Sequence, residues 1–140
     1  MRRIELLDWG TAQAEASRIR MTVFVVEQRV PAEIEMDDQD AGSVHALAYV
    51  DGRAVGTGRL LPDGHIGRMA VLKEWRACGL GGAILVCLVA EARRRGTQAV
   101  VLSAQTHALG FYRKHGFREE GPIFEEAGIP HQEMRRVLNS

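Results

Sequence analysis

A glycine-rich turn in the middle of the chain has the composition of an anion site. Residues 76–82 read Arg-Ala-Cys-Gly-Leu-Gly-Gly and lead into the apolar run Ala83–Ala90, which is typical of a buried helix. The first amides of a helix have no intrahelical partner and carry partial positive charge. Glycine at these positions lets a phosphate approach the backbone closely. The spacing predicts a pyrophosphate-binding turn, with Arg76 as a charged contact at its edge.

Two familiar phosphate-binding patterns do not fit this turn. A P-loop ends in Gly-Lys-Ser or Gly-Lys-Thr, and the sequence contains neither. A dinucleotide-binding turn has a third glycine and an acidic residue about 20 positions later, whereas Ile84 stands at the third glycine position and no acid lies near residue 100. The pattern present is Arg-x-x-Gly-x-Gly, which also suits plain helix–sheet packing.

A second motif follows the next apolar strand pattern. Residues 105–117 read Gln-Thr-His-Ala-Leu-Gly-Phe-Tyr-Arg-Lys-His-Gly-Phe. Taken with Arg-x-x-Gly-x-Gly, this order resembles the GNAT family of N-acetyltransferases, whose first motif binds coenzyme A and whose second contains Ala, Phe-Tyr and Gly-Phe. Residues 23–28 and 56–60 resemble the ElaA-like bacterial branch, and the resemblance extends over about residues 18–138. Without the family, Phe111 and Tyr112 are two aromatic residues that pack a short helix.

The resemblance implies an enzyme that moves an acetyl group from acetyl-CoA to a primary amine by direct attack. The alternative is a non-catalytic acyl-CoA-binding module on the same fold. In the family the strand at 66–71 splays from the strand at 99–103, and the pantetheine arm lies in the gap. A backbone N–H there polarises the thioester carbonyl. The implied coenzyme-binding residues are Met69, Ala70, Val71, Arg76, Ala77, Cys78, Gly79, Leu80, Gly81, Gly82, Gln105, Phe111 and Tyr112.

Tyr112 matches the tyrosine whose hydroxyl faces the coenzyme sulfur in the family, so the resemblance implies that it protonates the departing thiolate. A phenol of reference pKa ~10 donates to a thiolate whose acid has a pKa of ~8.5 only with help from its surroundings. The alternative role for Tyr112 is to orient the sulfur. Gln105 stands where many relatives have Asn.

Several residues are candidates for the base that accepts the ammonium proton. His65 lies near a position where some relatives carry Glu, and a neutral imidazole can take such a proton. Because His65 follows an Asp-Gly pair, it equally suits a solvated turn. His131 is a second catalytic candidate. Glu27, near the acceptor side, and Glu125, on the last segment, are candidate contacts to the amine substrate.

An acidic run lies between residues 33 and 40 and contains five acids and no base. We interpret this run as an exposed loop; the less favoured hypothesis is that it attracts a cationic amine. The five histidines and two cysteines show no metal-ligand spacing, so no metal site is expected.

The elements that must position these residues follow from apolar spacing. Thr11 is expected to cap a helix that Pro31 ends, and the apolar helix from 83 to 95 is expected to be buried. The predicted fold is α/β (α+β), with a mixed, mostly antiparallel sheet, helices on both faces and strands splayed around the coenzyme. The strands are expected at 44–50, 53–61, 65–72, 99–102, 117–120 and 132–138, and a short helix at 108–115.

Composition narrows the class of protein. The chain has 140 residues, is 46% hydrophobic, and carries 18 basic and 18 acidic residues, a balance that argues against a nucleic-acid binder. The apolar runs are shorter than the ~20 residues of a membrane helix. Cys78 and Cys87 fit a reducing compartment. We therefore expect a single domain over 1–140, in the cytoplasm, with no membrane or nucleic-acid partner. Dimers are common among relatives, so the resemblance leaves a homodimer as one open state.

Overall fold

In the computed structural model, which describes residues 1–138, seven strands and four α-helices follow one another. In chain order they are β1 (Arg2–Leu7), α1 (Trp9–Arg20), α2 (Ala32–Glu35), β2 (Val44–Val50), β3 (Arg53–Leu60), β4 (Ile66–Val71), α3 (Leu80–Arg94), β5 (Ala99–Gln105), α4 (Leu109–Lys114), β6 (Arg118–Glu126) and β7 (Ile129–Val137). A π-helical segment, Met21–Glu27, continues α1, and a short 3-10 turn precedes α4.

The strands form two antiparallel sheets that meet at one point. The first sheet has the order β1-β2-β3-β4 and the second the order β5-β7-β6. A parallel bridge joins His65 to Val101, and the amide of Val101 donates to the carbonyl of Gly64 over 3.2 Å. Beyond this bridge β4 and β5 belong to different sheets. The splayed arrangement predicted from the sequence is confirmed, and the gap it leaves is where the site lies.

Helices cover both faces of the first sheet. The ring of His45 in β2 lies 4.7 Å from that of Trp9 in α1. Ala48, three residues along β2, points to the other face and shares it with Gly56 of β3, because side chains alternate along a strand. A Cβ at Gly56 would lie 2.9 Å from Ile84 of α3, so the glycine permits the close approach of that helix. α1 and α3 therefore lie on opposite faces, as predicted.

The N-terminus differs from the prediction. Residues 2–7 form an edge strand, β1, that the sequence analysis missed because none of its residues is fully buried and they show little apolar alternation. The expected cap, Thr11, is also wrong. The carboxylate of Asp8 accepts from the amide of Thr11 over 2.9 Å, so Asp8 caps α1.

The two closing strands are longer than predicted, nine residues each. They meet in a tight turn in which Ala127 has φ +54° and Gly128 has φ +75°. Two successive left-handed residues match the twist of a two-residue hairpin, although alanine is uncommon there. Within residues 1–138 no helix is long and apolar enough to cross a membrane.

Candidate active site

A β-bulge in β4 lies at the gap between the two sheets. The register between β3 and β4 slips between Thr57 and Arg59, so that Arg68 and Met69 together oppose Gly58. Arg68 has φ +50°, in the left-handed region that is rare for a residue with a side chain. A bulge leaves backbone groups outside the strand ladder and changes the direction of the side chains. The backbone at Met69 is therefore available to a ligand in the gap.

The glycine turn is open to an anion. Gly79 begins α3 with φ +84°, and no side chain caps this helix in the described part of the chain. The amide of Ala83 is the first to make an intrahelical bond, to the carbonyl of Gly79 over 3.1 Å. The amides of residues 80–82 precede it and face outward as free donors. This arrangement fits a pyrophosphate, as the spacing predicts.

The same glycines bring α4 close to α3. A Cβ at Gly81 would lie 3.8 Å from the ring of Phe111, an ordinary contact, and a Cβ at Gly82 would lie 3.3 Å from Nε2 of His115, a tight one. The packing role considered for this motif therefore applies, and the anion-binding role stays a prediction. Gly81 tolerates a methyl group, whereas Gly82 has less room.

Arg76 forms an ion pair with Glu27 in this structure. Its guanidinium donates to both carboxylate oxygens of Glu27, over 2.5 and 2.7 Å, and its Nε donates to the carbonyl of Val71 over 2.8 Å. These hydrogen bonds hold the pKa of Glu27 below its usual value and raise that of Arg76. Glu27, expected at the acceptor, lies beside Arg76 at the start of the glycine turn, because the π-helical segment ends beside β4.

The remaining predicted coenzyme contacts are spread along the turn and β4. Ala70 is buried, and its backbone pairs with Thr57 of β3. Ala77 is left-handed with φ +62°, and the exposed Cys78 donates from Sγ to the carbonyl of Trp75 over 2.7 Å. The structure therefore gives Ala77 and Cys78 a role in shaping the turn before α3.

A cavity of about 360 Å³ opens from the gap toward the β6–β7 turn. Its apolar wall includes Phe24, Val30, Ile34, Leu102 and Ile129. Its polar wall includes Gln28, Gln105, His107, Tyr112, Glu126 and His131. The cavity joins the β4 bulge to the β6–β7 turn, and it brings together residues that are as much as 107 positions apart, from Phe24 to His131.

Tyr112 lies at the inner end of this cavity. Its hydroxyl is 3.9 Å from Sδ of Met69, at the bulge. Its ring meets Phe111 and Phe117 edge-on, at 5.0 and 6.0 Å between centroids. Burial raises the pKa of Tyr112 to about 12. The phenol therefore stays protonated at neutral pH and presents an O–H donor to the gap between β4 and β5.

Gln105 links the end of β5 to the π-helical region. Its amide nitrogen donates to Oε1 of Gln28 over 3.0 Å, and its carbonyl oxygen lies 2.7 Å from Nε2 of His107. The side chain therefore lines the cavity and is already hydrogen-bonded on both ends. Its contact to the coenzyme remains a prediction.

The two candidate histidines differ in their surroundings. His65 is half exposed, and its Nδ1 lies 3.0 Å from the carboxylate of Asp63 in the turn. His131 is 7% exposed, and its Nδ1 lies 2.7 Å from the carbonyl of Ile129. A carbonyl only accepts, so this nitrogen carries the proton and Nε2 holds the lone pair. His131 therefore offers a basic nitrogen fixed in orientation.

The β6–β7 hairpin places Glu126, and not Glu125, in the cavity. Glu125 is exposed and is not among the lining residues, whereas Glu126 lines the cavity and its Oε2 lies 3.9 Å from Nε2 of His131. Because side chains alternate along a strand, a shift of one residue exchanges the faces. Strand alternation alone could have found Glu126 only if the end of β6 had been predicted.

Comparison with known proteins decides the family. The family model described as an acetyltransferase (GNAT) domain matches residues 11–138. The chain belongs to the GNAT family. The uncharacterized N-acetyltransferase YjcF of Bacillus subtilis is 41% identical over 126 residues, which cover 87% of this chain and 90% of YjcF. The predicted resemblance is confirmed, and the protein is an N-acetyltransferase.

Solved structures of GNAT proteins match the whole fold. The crystal structure of an N-acetyltransferase from Lactobacillus plantarum superposes with a TM-score of 0.90 at 26% identity and covers 99% of each chain. That of Escherichia coli ElaA superposes with a TM-score of 0.87 at 26% identity, covering 97% of this chain and 99% of ElaA. ElaA is thus among the relatives, as residues 23–28 and 56–60 predict.

Beside the cavity in this GNAT enzyme lies a set of ion-paired charges, four of them buried, which we call the arginine–carboxylate cluster. Its members are Arg20, Arg59, Arg68, Glu35, Asp37 and Asp40. Three positive and three negative side chains neutralise one another. Arg20 donates to Glu35 over 2.5 Å and to both oxygens of Asp40 over 2.9 and 3.1 Å.

The cluster corrects the prediction of an exposed acidic loop. Glu35 and Asp40 are only 5% and 7% exposed, and α2 begins the segment. Hydrogen bonds from Arg59 lower the pKa of Asp37 to about 2. These three acids are occupied by arginines that lie far away in the sequence, so they do not form a free acidic surface for an amine. Within residues 1–138 no three metal-ligating side chains cluster.

Proposed function

We propose that this GNAT enzyme transfers the acetyl group of acetyl-CoA to the primary amine of a small molecule or peptide. The observation that carries the proposal is the position of the Tyr112 hydroxyl, beside Met69 at the β4 bulge and at the inner end of the cavity that contains His131. A proton donor and a proton acceptor thus line one cavity, on either side of the gap where the family places its thioester.

The residues present fit the coenzyme. The free amides of residues 80–82 are suited to the pyrophosphate, and Arg76 adds a positive charge at the edge of the turn once it exchanges Glu27 for a phosphate oxygen. A backbone N–H near Met69, freed by the bulge, is suited to the thioester carbonyl. Acetyl-CoA bound there supplies an activated acetyl group.

His131 is the residue we assign as general base. The amine nitrogen loses a proton to Nε2 of His131 and bonds to the carbonyl carbon, after which the C–S bond breaks. His65 is less suited because it is half exposed and its Nδ1 is engaged by Asp63. Tyr112 then gives its proton to the departing thiolate or holds the sulfur through the same hydrogen bond.

A screen of amines tests this function. Release of free coenzyme A from acetyl-CoA is followed with a thiol reagent across alkylamines, arylamines, amino acids and short peptides, and each product is weighed by mass spectrometry. Amine-dependent thiol release with a product heavier by one acetyl group is expected. Tight coenzyme binding with no release for any amine would favour the acyl-CoA-binding module instead. Propionyl-CoA in the same assay tests the length of the acyl group.

Two further properties belong to the proposal. We place the enzyme in the cytoplasm, where its free cysteines, Cys78 and Cys87, would stay reduced. The assembly is open between a monomer and a homodimer. Light scattering of the purified chain measures the mass in solution and distinguishes the dimer from the monomer.

A further inference from the structure

We infer that Glu126 and His131 form a subsite that binds the acceptor as an ammonium cation. The inference rests on the proposed function and specifies its acceptor as an alkylamine, which is charged near neutral pH, and not an arylamine, which is neutral there. It assigns Glu126 a binding role that the sequence does not indicate.

The geometry of the pair suits a shared donor. Oε2 of Glu126 and Nε2 of His131 are 3.9 Å apart, too far for a direct hydrogen bond but close enough for one ammonium nitrogen to donate to both. The tautomer of His131 is fixed by its bond to the carbonyl of Ile129, and its ring is stacked at 22° against Phe124. The lone pair of Nε2 is therefore held in place toward the cavity.

The charge of the cavity points to a cation. Glu35 and Glu126 are the carboxylates that line it, and Arg20 neutralises Glu35. Within residues 1–138 no arginine or lysine forms an ion pair with Glu126, whose side chain is 54% exposed at the mouth. The other titratable or charged groups that line the cavity are Glu35, Arg59, Arg68, His65, His107 and Tyr112. Arg59 and Arg68 are held by Asp37, so Glu126 carries the negative charge without a cationic partner.

The subsite also completes the proton balance. An alkylammonium donates one N–H to Glu126 and a second to Nε2 of His131. His131 takes the second proton and becomes an imidazolium, and the nitrogen lone pair so released attacks the thioester carbon. When the C–S bond then breaks, the nitrogen gives up one more proton, which passes to the departing thiolate, either directly or by restoring the Tyr112 hydroxyl that protonated it. The proton leaves His131 for water after the N-acetyl product departs.

Two neighbouring substitutions test the subsite. Glu126→Gln removes the charge in the cavity, and Glu125→Gln removes the same charge from the exposed face of the same strand. We compare 2-phenylethylamine with aniline, and the best alkylamine of the screen with the best arylamine. For alkylamines Glu126→Gln is expected to raise KM about three- to tenfold. Arylamine kinetics and the Glu125→Gln variant should match wild type.

Several outcomes would overturn the inference. They are an unchanged alkylamine KM in Glu126→Gln, an equal effect of Glu125→Gln, or an equal loss for arylamines. Calorimetry of the alkylamine panel with the coenzyme A-bound protein measures binding at the subsite without turnover. Alkylamine binding that is weaker in Glu126→Gln than in Glu125→Gln supports the subsite. No binding by any alkylamine contradicts the subsite. Absence of acetyl transfer with intact alkylamine binding would instead reject the proposed function.

Discussion

The surroundings of Tyr112 determine what its hydroxyl can do. Burial raises the pKa of this phenol to about 12, which disfavours its tyrosinate. Transfer of its proton to a water-exposed thiolate with a conjugate acid near pKa ~8.5 would cost about 5 kcal/mol. A thiolate that departs into the same cavity is also desolvated, and its pKa rises for the same reason. The difference in pKa between the Tyr112 hydroxyl and the thiol that departs is therefore smaller in the site than in water.

Tyr112→Phe tests this residue directly. The change keeps the ring and its contacts with Phe111 and Phe117, so the fold and the coenzyme Kd should be unchanged. If the hydroxyl is the acid, kcat falls by about 10²- to 10⁴-fold. Tyr49→Phe, on β2 with its ring under Arg3, is the matched control and should keep full activity. Full turnover by Tyr112→Phe, with chemistry rate-limiting, would show that the thiolate takes its proton elsewhere.

At the scale of elements, the β4 bulge is held by α2. Arg68, left-handed at the bulge, donates to the carbonyl of Glu35 over 3.1 Å and to the carboxylate of Asp37 over 3.0 Å. A strained backbone of this kind costs on the order of 1–3 kcal/mol and persists when its surroundings fix it. The arginine–carboxylate cluster thus ties the end of α1, α2 and the bulge into one support for the cavity.

The cluster predicts acid sensitivity. The pKa of Asp37 is about 2 in the folded protein against 3.8 for the free group, so the unfolded state binds more protons between these values. The contribution of Asp37 is fully present above pH ~4 and is lost as the pH falls toward 2, and because Asp37 is screened by solvent it amounts to about 1 kcal/mol. Urea unfolding from pH 6 to 2.5 measures it. Asp37→Asn should flatten the pH dependence of the free energy of unfolding. Asp38→Asn, at an exposed position in the same segment, should leave it unchanged. The same pH dependence in both variants would refute this role of Asp37.

Substitutions at Gly81, in the first turn of α3, are expected to change coenzyme A affinity and folding stability separately. Gly81→Val places a branched side chain beside Phe111, next to the free amides, so coenzyme A affinity should fall at least tenfold. Gly81→Ala adds a methyl group at an ordinary contact distance and should fold at least as well as wild type. Calorimetry with coenzyme A and thermal unfolding measure the two effects. Unchanged affinity in Gly81→Val would contradict the pyrophosphate site.

At the scale of the whole molecule, the sequence predicts what is local. The glycine turn, the apolar helix behind it and the Phe-Tyr pair are each contained in one short segment. The bulge depends on the register between two strands, and the cluster joins Arg20 to Asp40 and Arg59 across separate elements. Glu126 depends on where β6 ends. None of these follows from the periodicity of one segment, because each is decided by pairing between distant ones.

The whole fold should respond to coenzyme A and not to other nucleotides. The glycine turn lacks the P-loop lysine and the third glycine of a dinucleotide site. Coenzyme A at one hundred times its Kd adds about 2.7 kcal/mol to the free energy of unfolding, which raises Tm by about 10 °C. Differential scanning fluorimetry with coenzyme A, NAD and ATP makes the comparison. Equal shifts for the three would indicate nonspecific anion binding.

The central claim, direct acetyl transfer to an amine, is tested by one single-turnover measurement. Enzyme in excess is mixed with carbon-13-labelled acetyl-CoA and the best amine from the screen, quenched at successive times and analysed by mass spectrometry. The label should pass from the coenzyme to the amine nitrogen in one step, with no acetylated protein at any time. Label that first accumulates on the chain, for example at the exposed Cys78, or that never reaches the amine, would contradict the account.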